Sequence, residues 1–141
     1  MYQVTNSQLY PALARFQEMG AVEREVVVQV GRPDKHLYRL TSVGSEVLHA
    51  LLVDFTAETA RRETEFYVRV AHFDLLTPAE RMVILGRRRD VLSLRIERIA
   101  SWPAERADGY VGELGRLRAR TLELERGQIE AWLVRESQPA H

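Results

Sequence analysis

The chain has 141 residues, of which 45% are hydrophobic and 28% are charged, and its formal net charge at pH 7 is zero. This composition is typical of an ordinary globular protein and excludes an intrinsically disordered chain. A neutral protein has no overall attraction to nucleic acid, so any DNA binding must come from a local basic patch. The sequence contains no cysteine, which excludes a disulfide framework, a thiolate metal site and a thiol nucleophile.

Neither a membrane span nor a signal peptide is indicated. An apolar run such as residues 47–55 is interrupted by His49 and Asp54 and is much shorter than a bilayer span. Residues 1–4 lack the basic region and the apolar core of a signal peptide. We therefore expect a cytoplasmic protein.

The first predicted element is a short helix. Thr5 and Gln8 have the spacing of a capping box, in which each side chain satisfies a free backbone donor at a helix start. Gly20 is expected to end this helix. Large apolar residues recur at helical spacing along one face, namely Leu9, Leu13 and Phe16. Polar residues are left near the exposed first turns, namely Asn6, Ser7, Gln8 and Tyr10.

A β-hairpin and a second helix are predicted next. Residues 22–30 are largely β-branched, Gly31 and Pro33 break the run, and residues 37–40 resume it. Thr41 or Ser42 is then expected to cap a helix that extends to about Phe55, where a small domain ends. The predicted hairpin tip consists of Arg32, Pro33, Asp34, Lys35 and His36.

From residue 56 onward the periodicity is helical. Residues 77–80 combine a threonine cap, a proline at the first helical position and a glutamate at the third, which predicts a helix start. Trp102 and Pro103 are expected to end that helix, and glycines at 109, 112 and 115 to weaken the start of the last one, whose periodicity returns at Leu117. A coiled-coil-like seam, with Arg89 in its polar position, contains Met82, Leu85, Leu92, Ile96 and Ile99.

A helix, a hairpin and a new helix start form the back half of a winged helix. Such domains bind DNA by inserting one helix into the major groove, while the hairpin tip contacts the neighbouring backbone or minor groove. A plain helix cap and a solvated, charged turn would explain the same residue types. Taken together, the order and spacing favour DNA binding, and the predicted DNA-binding residues are Asn6, Ser7, Gln8, Tyr10, Arg15, Arg32 and Lys35.

Residues 4–41 resemble the PadR family of transcriptional regulators. The stretch Leu9-Tyr10-Pro11-Ala12-Leu13 resembles the family's Leu-Tyr-Pro-x-Leu signature, and Tyr38-Arg39-Leu40-Thr41 resembles its Tyr-x-Leu-Thr segment. Residues 77–80 and 129–133 are similar to a larger subgroup, related to virulence-gene activators, with an all-helical carboxy-terminal domain. The resemblance implies a homodimer joined through the carboxy-terminal helices, mostly repression, and release of DNA when a small aromatic molecule binds.

The family has two further helices before the recognition helix, whereas this chain starts almost directly at that helix. Without them, Leu9, Leu13 and Phe16 would be exposed. Each large apolar side chain left unburied forgoes about 1.5 to 3 kcal/mol of stabilising free energy. Three explanations are open: residues upstream of Met1, exchange between dimer partners, or an incomplete DNA-binding unit. We expect residues upstream of Met1.

The sequence does not favour an enzyme. No nucleophile motif or phosphate-binding glycine loop is present, and Glu63 and Glu65, two residues apart, would point to different faces of a helix. The histidines show no metal-ligand spacing: His36, His49, His72 and His141. We therefore predict no catalytic residue, no cofactor and no metal.

Two further groups of residues have a functional and a structural explanation. The run Arg87-Arg88-Arg89 could contact DNA phosphates, but a solvated helix face is the favoured interpretation. The aromatic residues of the helical region could line an effector pocket, but packing in the core and the dimer is favoured. They are Phe66, Tyr67, Phe73, Trp102 and Trp132.

The predicted fold class is mainly α, in the α+β sense, with a partial winged helix-turn-helix and a two-stranded wing followed by an all-helical dimerisation domain. The predicted domains are residues 1–55, residues 56–136 and a disordered tail at 137–141. The predicted function is a homodimeric, sequence-specific DNA-binding transcriptional regulator. The alternative is a dimeric protein-interaction module with an incomplete winged helix and no DNA affinity of its own.

Overall fold

A computed structural model describes residues 6–138 of the chain. One helix and a two-stranded antiparallel hairpin are followed by helices alone, which confirms the predicted fold class. Two 3-10 turns lie on either side of α3, at Thr59–Arg61 and Phe73–Leu75. The elements are α1 Asn6–Glu18, β1 Val22–Val27, β2 Lys35–Leu40, α2 Ser42–Val53, α3 Glu63–Val70, α4 Pro78–Ala100, α5 Ala104–Ala107 and α6 Gly109–Glu136.

The chain divides after Leu51 into two compact units. We call residues up to Leu51 the amino-terminal unit and residues from Leu52 onward the helical unit. The domain bounds predicted from the sequence, 1–55, 56–136 and 137–141, stay predictions. Thr5 of the predicted capping box and the end of the predicted tail, from residue 139, lie outside the described residues.

A sharp corner joins α1 to the hairpin. Gly20 adopts a φ of 70°, a left-handed conformation that glycine reaches at little cost, and it ends α1 as predicted. The amide of Ala21 donates to the carbonyl of Phe16 at 2.8 Å, which closes the last turn. The strands then pair from Val22 opposite Leu40 to Val27 opposite Lys35.

Thr41 connects this corner to α2. Its hydroxyl donates to the carbonyl of Gly20 at 2.6 Å and accepts from the amide of Gly44 at 3.0 Å, so Thr41, and not Ser42, caps α2. A Cβ atom at Gly44 would overlap the backbone carbonyl of Ala21, so only glycine permits this approach of α2 to the corner. Within the amino-terminal unit, Thr41 and Gly44 thereby fix the start of α2 beside the end of α1.

The hairpin tip differs from the prediction. Lys35 and His36 were expected in the tip, but they pair with Val27 and Val26 and form the start of β2. This pairing leaves residues 28–34 without cross-strand partners and makes them the tip. Strand-forming residues at its start are therefore exposed, including Val28 and Val30. Side-chain type alone could not show where the two strands stop pairing.

The core of the helical unit lies mainly between α4 and α6. The predicted capping box begins α4: the amide of Thr77 donates to the Glu80 carboxylate at 2.8 Å, and the amide of Glu80 donates to the Thr77 hydroxyl at 3.3 Å. The largest fully buried apolar side chains are Phe55, Phe66, Ile84, Leu85, Leu92, Leu122 and Ile129.

The polar position in the core belongs to Arg88, and the prediction of Arg89 was wrong. Arg88 is fully buried, its Nε donates to Glu125 Oε1 at 2.8 Å, and its Nη1 donates to the Ala60 carbonyl at 2.9 Å. Arg89 instead pairs with Asp90 at 2.9 Å, where it is accessible to solvent. Arg88 and Arg89 lie three and four residues after Leu85, and both spacings place a residue on the same helix face as Leu85. The partners of Arg88 on other elements determine that Arg88 is the buried one.

The same contacts correct the expected solvated face at residues 87–89. Arg88 does not fit this expectation, because it is buried. Arg87 is exposed as expected, although its Nη1 donates to the Phe55 carbonyl.

The glycines of the last helix also differ from expectation. They were expected to weaken its start, but α6 begins at Gly109, and Gly112 and Gly115 are buried within it. A Cβ atom at Gly112 would overlap the Ala107 carbonyl, and one at Gly115 would lie 2.5 Å from the Trp102 ring. These two glycines therefore allow the backbone of Ala107 and the ring of Trp102 to pack closely against α6.

Candidate nucleic-acid interface

The first turns of α1 present polar side chains to solvent. Ser7, Gln8 and Tyr10 are exposed, as is Arg15 in the last turn, while Asn6 is the first helical residue. The amino terminus of a helix attracts anions because its first amides have no partner within the helix and the helix dipole is positive there. This end of α1 is therefore suited to contact phosphate oxygens or base edges.

Helical geometry spreads the predicted α1 residues around the helix axis. Residues seven apart differ by only about 20° at roughly 100° per residue, so Gln8 and Arg15 share one side. Tyr10, two positions after Gln8, lies on nearly the opposite side. The set therefore does not form a single strip, and a groove that received this helix end would meet Gln8 and Tyr10 on its two walls.

The hairpin supplies the cationic part of the candidate interface. Arg32 lies in the tip next to Gly31, whose φ of 75° makes the chain reverse there, and its side chain is exposed. Lys35 is the first residue of β2 and is also exposed. On the strands, Arg39 is paired with Glu25 at 3.1 Å, so its charge is partly neutralised. The exposed Arg24 of β1 adds a further positive charge, and Arg32 and Lys35 are the predicted phosphate contacts of the hairpin.

The apolar face of α1 is largely uncovered. Leu9 is 40% exposed and Phe16 is 38% exposed, while Leu13 is half-buried. Of the three apolar residues expected to be exposed, Leu9 and Phe16 are exposed and Leu13 is only partly so. Large apolar side chains at these exposures are typical of a face that is covered by further protein.

A second apolar surface, which the sequence analysis missed, runs along α6. Leu117 and Leu124, which belong to the helical periodicity noted in the sequence, are 61% and 78% exposed. They belong to an alternating four- and three-residue series, which we call the α6 stripe, and each of its members is exposed. The stripe contains Tyr110, Leu114, Leu117, Thr121 and Leu124. The heptad spacing of the stripe is present in the sequence. A second series of apolar residues on α6, which includes Leu122 and Ile129, has helical spacing as well and is the one that packs in the core.

Three of the five aromatic residues considered as a possible effector site lie together. Phe66, Tyr67 and Trp132 line a groove of about 410 Å³ on the helical unit, which we call the aromatic groove. Trp102 is not part of it: its ring packs against Gly115 and carries the Arg106 guanidinium 4.7 Å from its centroid. Phe73 is not among the lining residues of the aromatic groove either.

Tyr67 is the titratable residue of the aromatic groove whose environment is most unusual. Burial raises the pKa of its hydroxyl, and the nearby carboxylates of Glu125 and Glu63 raise it further. The Tyr67 side chain also hydrogen-bonds to that of Glu63, so its one hydroxyl proton is already shared with a carboxylate.

Other kinds of site are not formed by the residues that the structure describes. Among residues 6–138, histidine and carboxylate side chains do not gather in the groups of three that would hold a metal ion. Over the same range, every helix is too short or too polar to cross a bilayer.

Comparison with known proteins connects the amino-terminal unit to gene regulation. Residues 1–50 match the model of the Transcriptional regulator PadR-like family. No curated protein matches the chain significantly. The match includes α1, the hairpin and most of α2, which are the elements that carry the candidate interface.

Two solved structures are similar to this chain at low sequence identity. One is smu.1604c from Streptococcus mutans, with 19% identity and a TM-score of 0.47, covering 94% of this chain and 81% of that one. The other is Bacillus subtilis PadR in complex with operator DNA, with 18% identity and a TM-score of 0.42, covering 97% of this chain and 81% of that one. TM-scores below 0.5 do not establish a common fold. The family match does not depend on them, and it covers residues 1–50 of this chain.

Proposed function

We propose that this protein is a cytoplasmic, homodimeric, sequence-specific DNA-binding regulator that represses transcription. The observation that carries the proposal is the match of residues 1–50 to a family of transcriptional regulators. The exposed polar start of α1 and the exposed cationic hairpin, both within the matched residues, supply the chemistry that DNA binding requires.

In the proposed complex, the start of α1 enters the major groove. Ser7 and Gln8 contact base edges or phosphates, and Tyr10 donates its hydroxyl to a phosphate. Arg32 and Lys35 hold the neighbouring backbone from the hairpin, and Arg15 adds a phosphate contact from the last turn of α1. A two-fold dimer would bind two half-sites about one helical turn, or a multiple of it, apart.

The proposed dimer is joined through the α6 stripe of each copy. Apolar residues at alternating spacings of four and three form a seam that a second identical helix can cover in the manner of a coiled coil. Four large side chains of the stripe are more than half exposed in a single copy, which makes the stripe a candidate for such packing. Light scattering that showed a monomer at micromolar concentration would count against this dimer.

The proposed effector is a small aromatic molecule that binds in the aromatic groove and releases DNA. Trp132 offers a ring face, and Tyr67 lines the same groove. The volume of about 410 Å³ lies in the lower part of the range of ligand pockets, roughly 300 to 1,000 Å³. Loss of DNA binding on addition of a phenolic acid, abolished by Trp132→Ala, is the expected result.

DNA binding is tested with the full chain and a labelled duplex of its own promoter. Fluorescence anisotropy at several salt concentrations gives the slope of log affinity against log salt. Arg32→Ala and Lys35→Ala should each weaken binding, and each should reduce the magnitude of the slope by about 1, because each removes one phosphate contact.

The matched control is Arg120→Ala, which removes one exposed positive charge from α6. It should leave both the affinity and the salt slope nearly unchanged. Equal effects of all three substitutions would mean that net charge, and not the hairpin, governs binding. Unchanged slopes for Arg32→Ala and Lys35→Ala would make the assignment of the hairpin wrong.

The exposure of Leu9 and Phe16 favours a second candidate function. In this alternative the helical unit dimerises or binds a partner, and the amino-terminal unit, whose α1 face is uncovered, has no DNA affinity of its own. The same anisotropy titration separates the two, because the alternative predicts no saturable binding at low salt. An in-frame coding extension upstream of Met1 with two amphipathic helices would support the regulator, whereas an in-frame stop codon there would support the alternative.

A further inference from the structure

A second groove on the helical unit is lined by four arginines, and we call it the arginine groove. It lies between α4 and the turn at Thr59–Arg61 and has a volume of about 300 Å³. The arginines are Arg61, Arg87, Arg95 and Arg98. Val91 and Leu94 add apolar surface along the same side of α4, and Asp90 is the one acidic lining residue. The α4 side of the groove therefore combines cationic and apolar side chains.

The charges of these arginines are not neutralised by close carboxylates. Arg95 Nη2 donates to the backbone carbonyl of Arg61 at 2.7 Å, and Arg87 Nη1 donates to the backbone carbonyl of Phe55. A carbonyl is neutral, so both guanidinium groups keep their full charge.

Arg61 and Arg98 are similarly uncompensated. Arg61 lies 3.9 Å from Glu58, and both side chains are well exposed, so this pair contributes little. Within residues 6–138, the Arg98 guanidinium has no carboxylate within salt-bridge distance. The groove therefore keeps most of its positive charge.

The carboxylate of Asp90 does not balance this charge. Its Oδ1 already accepts from Arg89 Nε at 3.0 Å and from Arg89 Nη2 at 2.9 Å. Arg89 is not among the lining residues, so the acidic group of the groove is already shared with a cation outside it.

Outside the groove, buried and half-buried arginines of the helical unit form close ion pairs with glutamates. Arg69, Arg81 and Arg88 are each paired with a glutamate at 2.8 Å, through Glu65, Glu136 and Glu125. Positive charge is therefore left in excess at one place in a unit that elsewhere pairs its partly buried arginines closely. Burial lowers the pKa of Arg95, and the nearby charges of Arg88 and Arg118, which lie outside the groove, lower it further.

We propose that the arginine groove binds a small organic phosphate. Its phosphate oxygens accept from the guanidinium groups of Arg95 and Arg98, and its apolar body lies against Leu94. Arginine is suited to this because its planar guanidinium can donate two parallel hydrogen bonds to a phosphate. The groove volume is that of a small ligand pocket, which excludes a macromolecule from its interior. This binding does not depend on the proposed DNA binding or on the aromatic groove.

Isothermal titration calorimetry with the full chain tests the proposal with three probes. Adenosine 5′-monophosphate carries both a phosphate and a body, inorganic phosphate carries only the charge, and adenosine carries only the body. The nucleotide should bind most tightly, inorganic phosphate more weakly, and adenosine not measurably at the same concentration. Affinity for the nucleotide should fall as salt is raised.

Arg98→Glu should lower the affinity for the nucleotide by about tenfold or more, because it replaces a charge-assisted hydrogen bond with repulsion. Arg61→Gln is a second, milder variant that should lower the affinity in the same direction. The matched control is Arg120→Glu, which makes the same charge change at an exposed position of α6 outside the groove and should change the affinity less than about twofold.

Three results would overturn the proposal. One is the absence of nucleotide binding at millimolar concentration, and another is an equal loss of affinity in Arg120→Glu. The third is inorganic phosphate binding as tightly as the nucleotide, since the apolar wall would then contribute nothing. If Arg98→Glu weakens promoter binding while the unaltered chain binds no nucleotide, the arginines contact DNA instead, and the assignment to a small ligand is wrong.

Discussion

The two units of the chain bury their apolar residues to very different degrees. The helical unit contains every large apolar side chain that is fully buried in the described chain, from Phe55 to Ile129. Among the described residues of the amino-terminal unit, Ala21 is the one hydrophobic residue in the buried class. Burial of apolar surface is the main favourable term in folding, so we infer that the helical unit carries most of the chain's stability.

The amino-terminal unit is held together by a different kind of interaction. Backbone pairing joins its strands, and Thr41 and Gly44 fix the start of α2 at the corner after α1. Such contacts define a geometry but contribute less free energy than a packed core. A unit built in this way presents its polar helix end and cationic hairpin to solvent, whereas the helical unit supplies the stable scaffold.

The largest expected effect comes from breaking the buried ion pair of the helical unit. Glu125→Ala would leave the fully buried guanidinium of Arg88 without its carboxylate. Removing one partner of a buried pair is expected to lower the free energy of unfolding by about 3 to 5 kcal/mol. Urea denaturation followed by circular dichroism measures the change.

The matched control for this prediction is Glu130→Ala, also on α6. Glu130 pairs with Arg126 at 3.7 Å, and both side chains are exposed. The control should lower the free energy of unfolding by no more than about 0.5 kcal/mol. Similar losses in the two variants would mean that Arg88 reaches water in solution and that its burial does not stabilise the unit in the way inferred.

The second prediction compares one substitution in both units. Leu92→Ala removes a fully buried side chain from α4 and should lower the free energy of unfolding by about 2 to 5 kcal/mol. Leu9→Ala makes the same change on the exposed face of α1 and should lower it by less than about 1 kcal/mol. Chemical denaturation at one protein concentration measures both values.

A large loss in Leu9→Ala would contradict the comparison and would show that the apolar face of α1 is covered in solution. The concentration dependence of the loss identifies the cover. If a second copy of the chain covers this face, the rise of the unfolding midpoint with protein concentration should be smaller in Leu9→Ala than in the unaltered chain, because association stabilises the folded state by mass action.

Local signals in the sequence predicted the boundaries of several elements. Gly20 ends α1, and the motif at residues 77–80 begins α4, because a left-handed glycine and a capping box each act within a few residues. Ser7, Gln8, Tyr10 and Arg15 are exposed on α1, and their contact with DNA stays a prediction. These features depend on neighbours along the chain, which the sequence displays directly.

Features that depend on partners distant in sequence were not predictable in the same way. Arg88 and Arg89 are adjacent and chemically identical, and only Glu125 and the Ala60 carbonyl decide which one is buried. The roles of Gly112 and Gly115 depend on the backbone of Ala107 and the ring of Trp102. The arginine groove likewise combines residues from a 3-10 turn and from α4, and its charge could be judged only once the ion pairs were known.

The smallest effect, and the sharpest comparison of the units, concerns their two threonine caps. Thr41→Ala removes the cap of α2 and the hydrogen bond to the Gly20 carbonyl, and Thr77→Ala removes the capping box of α4. Each substitution should lower the stability of the structure that contains the helix by about 1 kcal/mol, the usual value for a lost helix cap. The two substitutions should differ in which part of the chain is destabilised. Native-state hydrogen exchange measures local opening, and urea denaturation measures the unfolding of the helical unit.

Because α4 is part of the main core, Thr77→Ala should lower the urea midpoint of the whole helical unit. Thr41→Ala should instead speed amide exchange at the start of α2 and in the hairpin while leaving the midpoint of the helical unit unchanged, since the amino-terminal unit can open locally. If Thr41→Ala lowers that midpoint as much as Thr77→Ala does, the two units unfold together. The amino-terminal unit would then derive its stability from the helical core, and its candidate interface would be as rigid as the core itself.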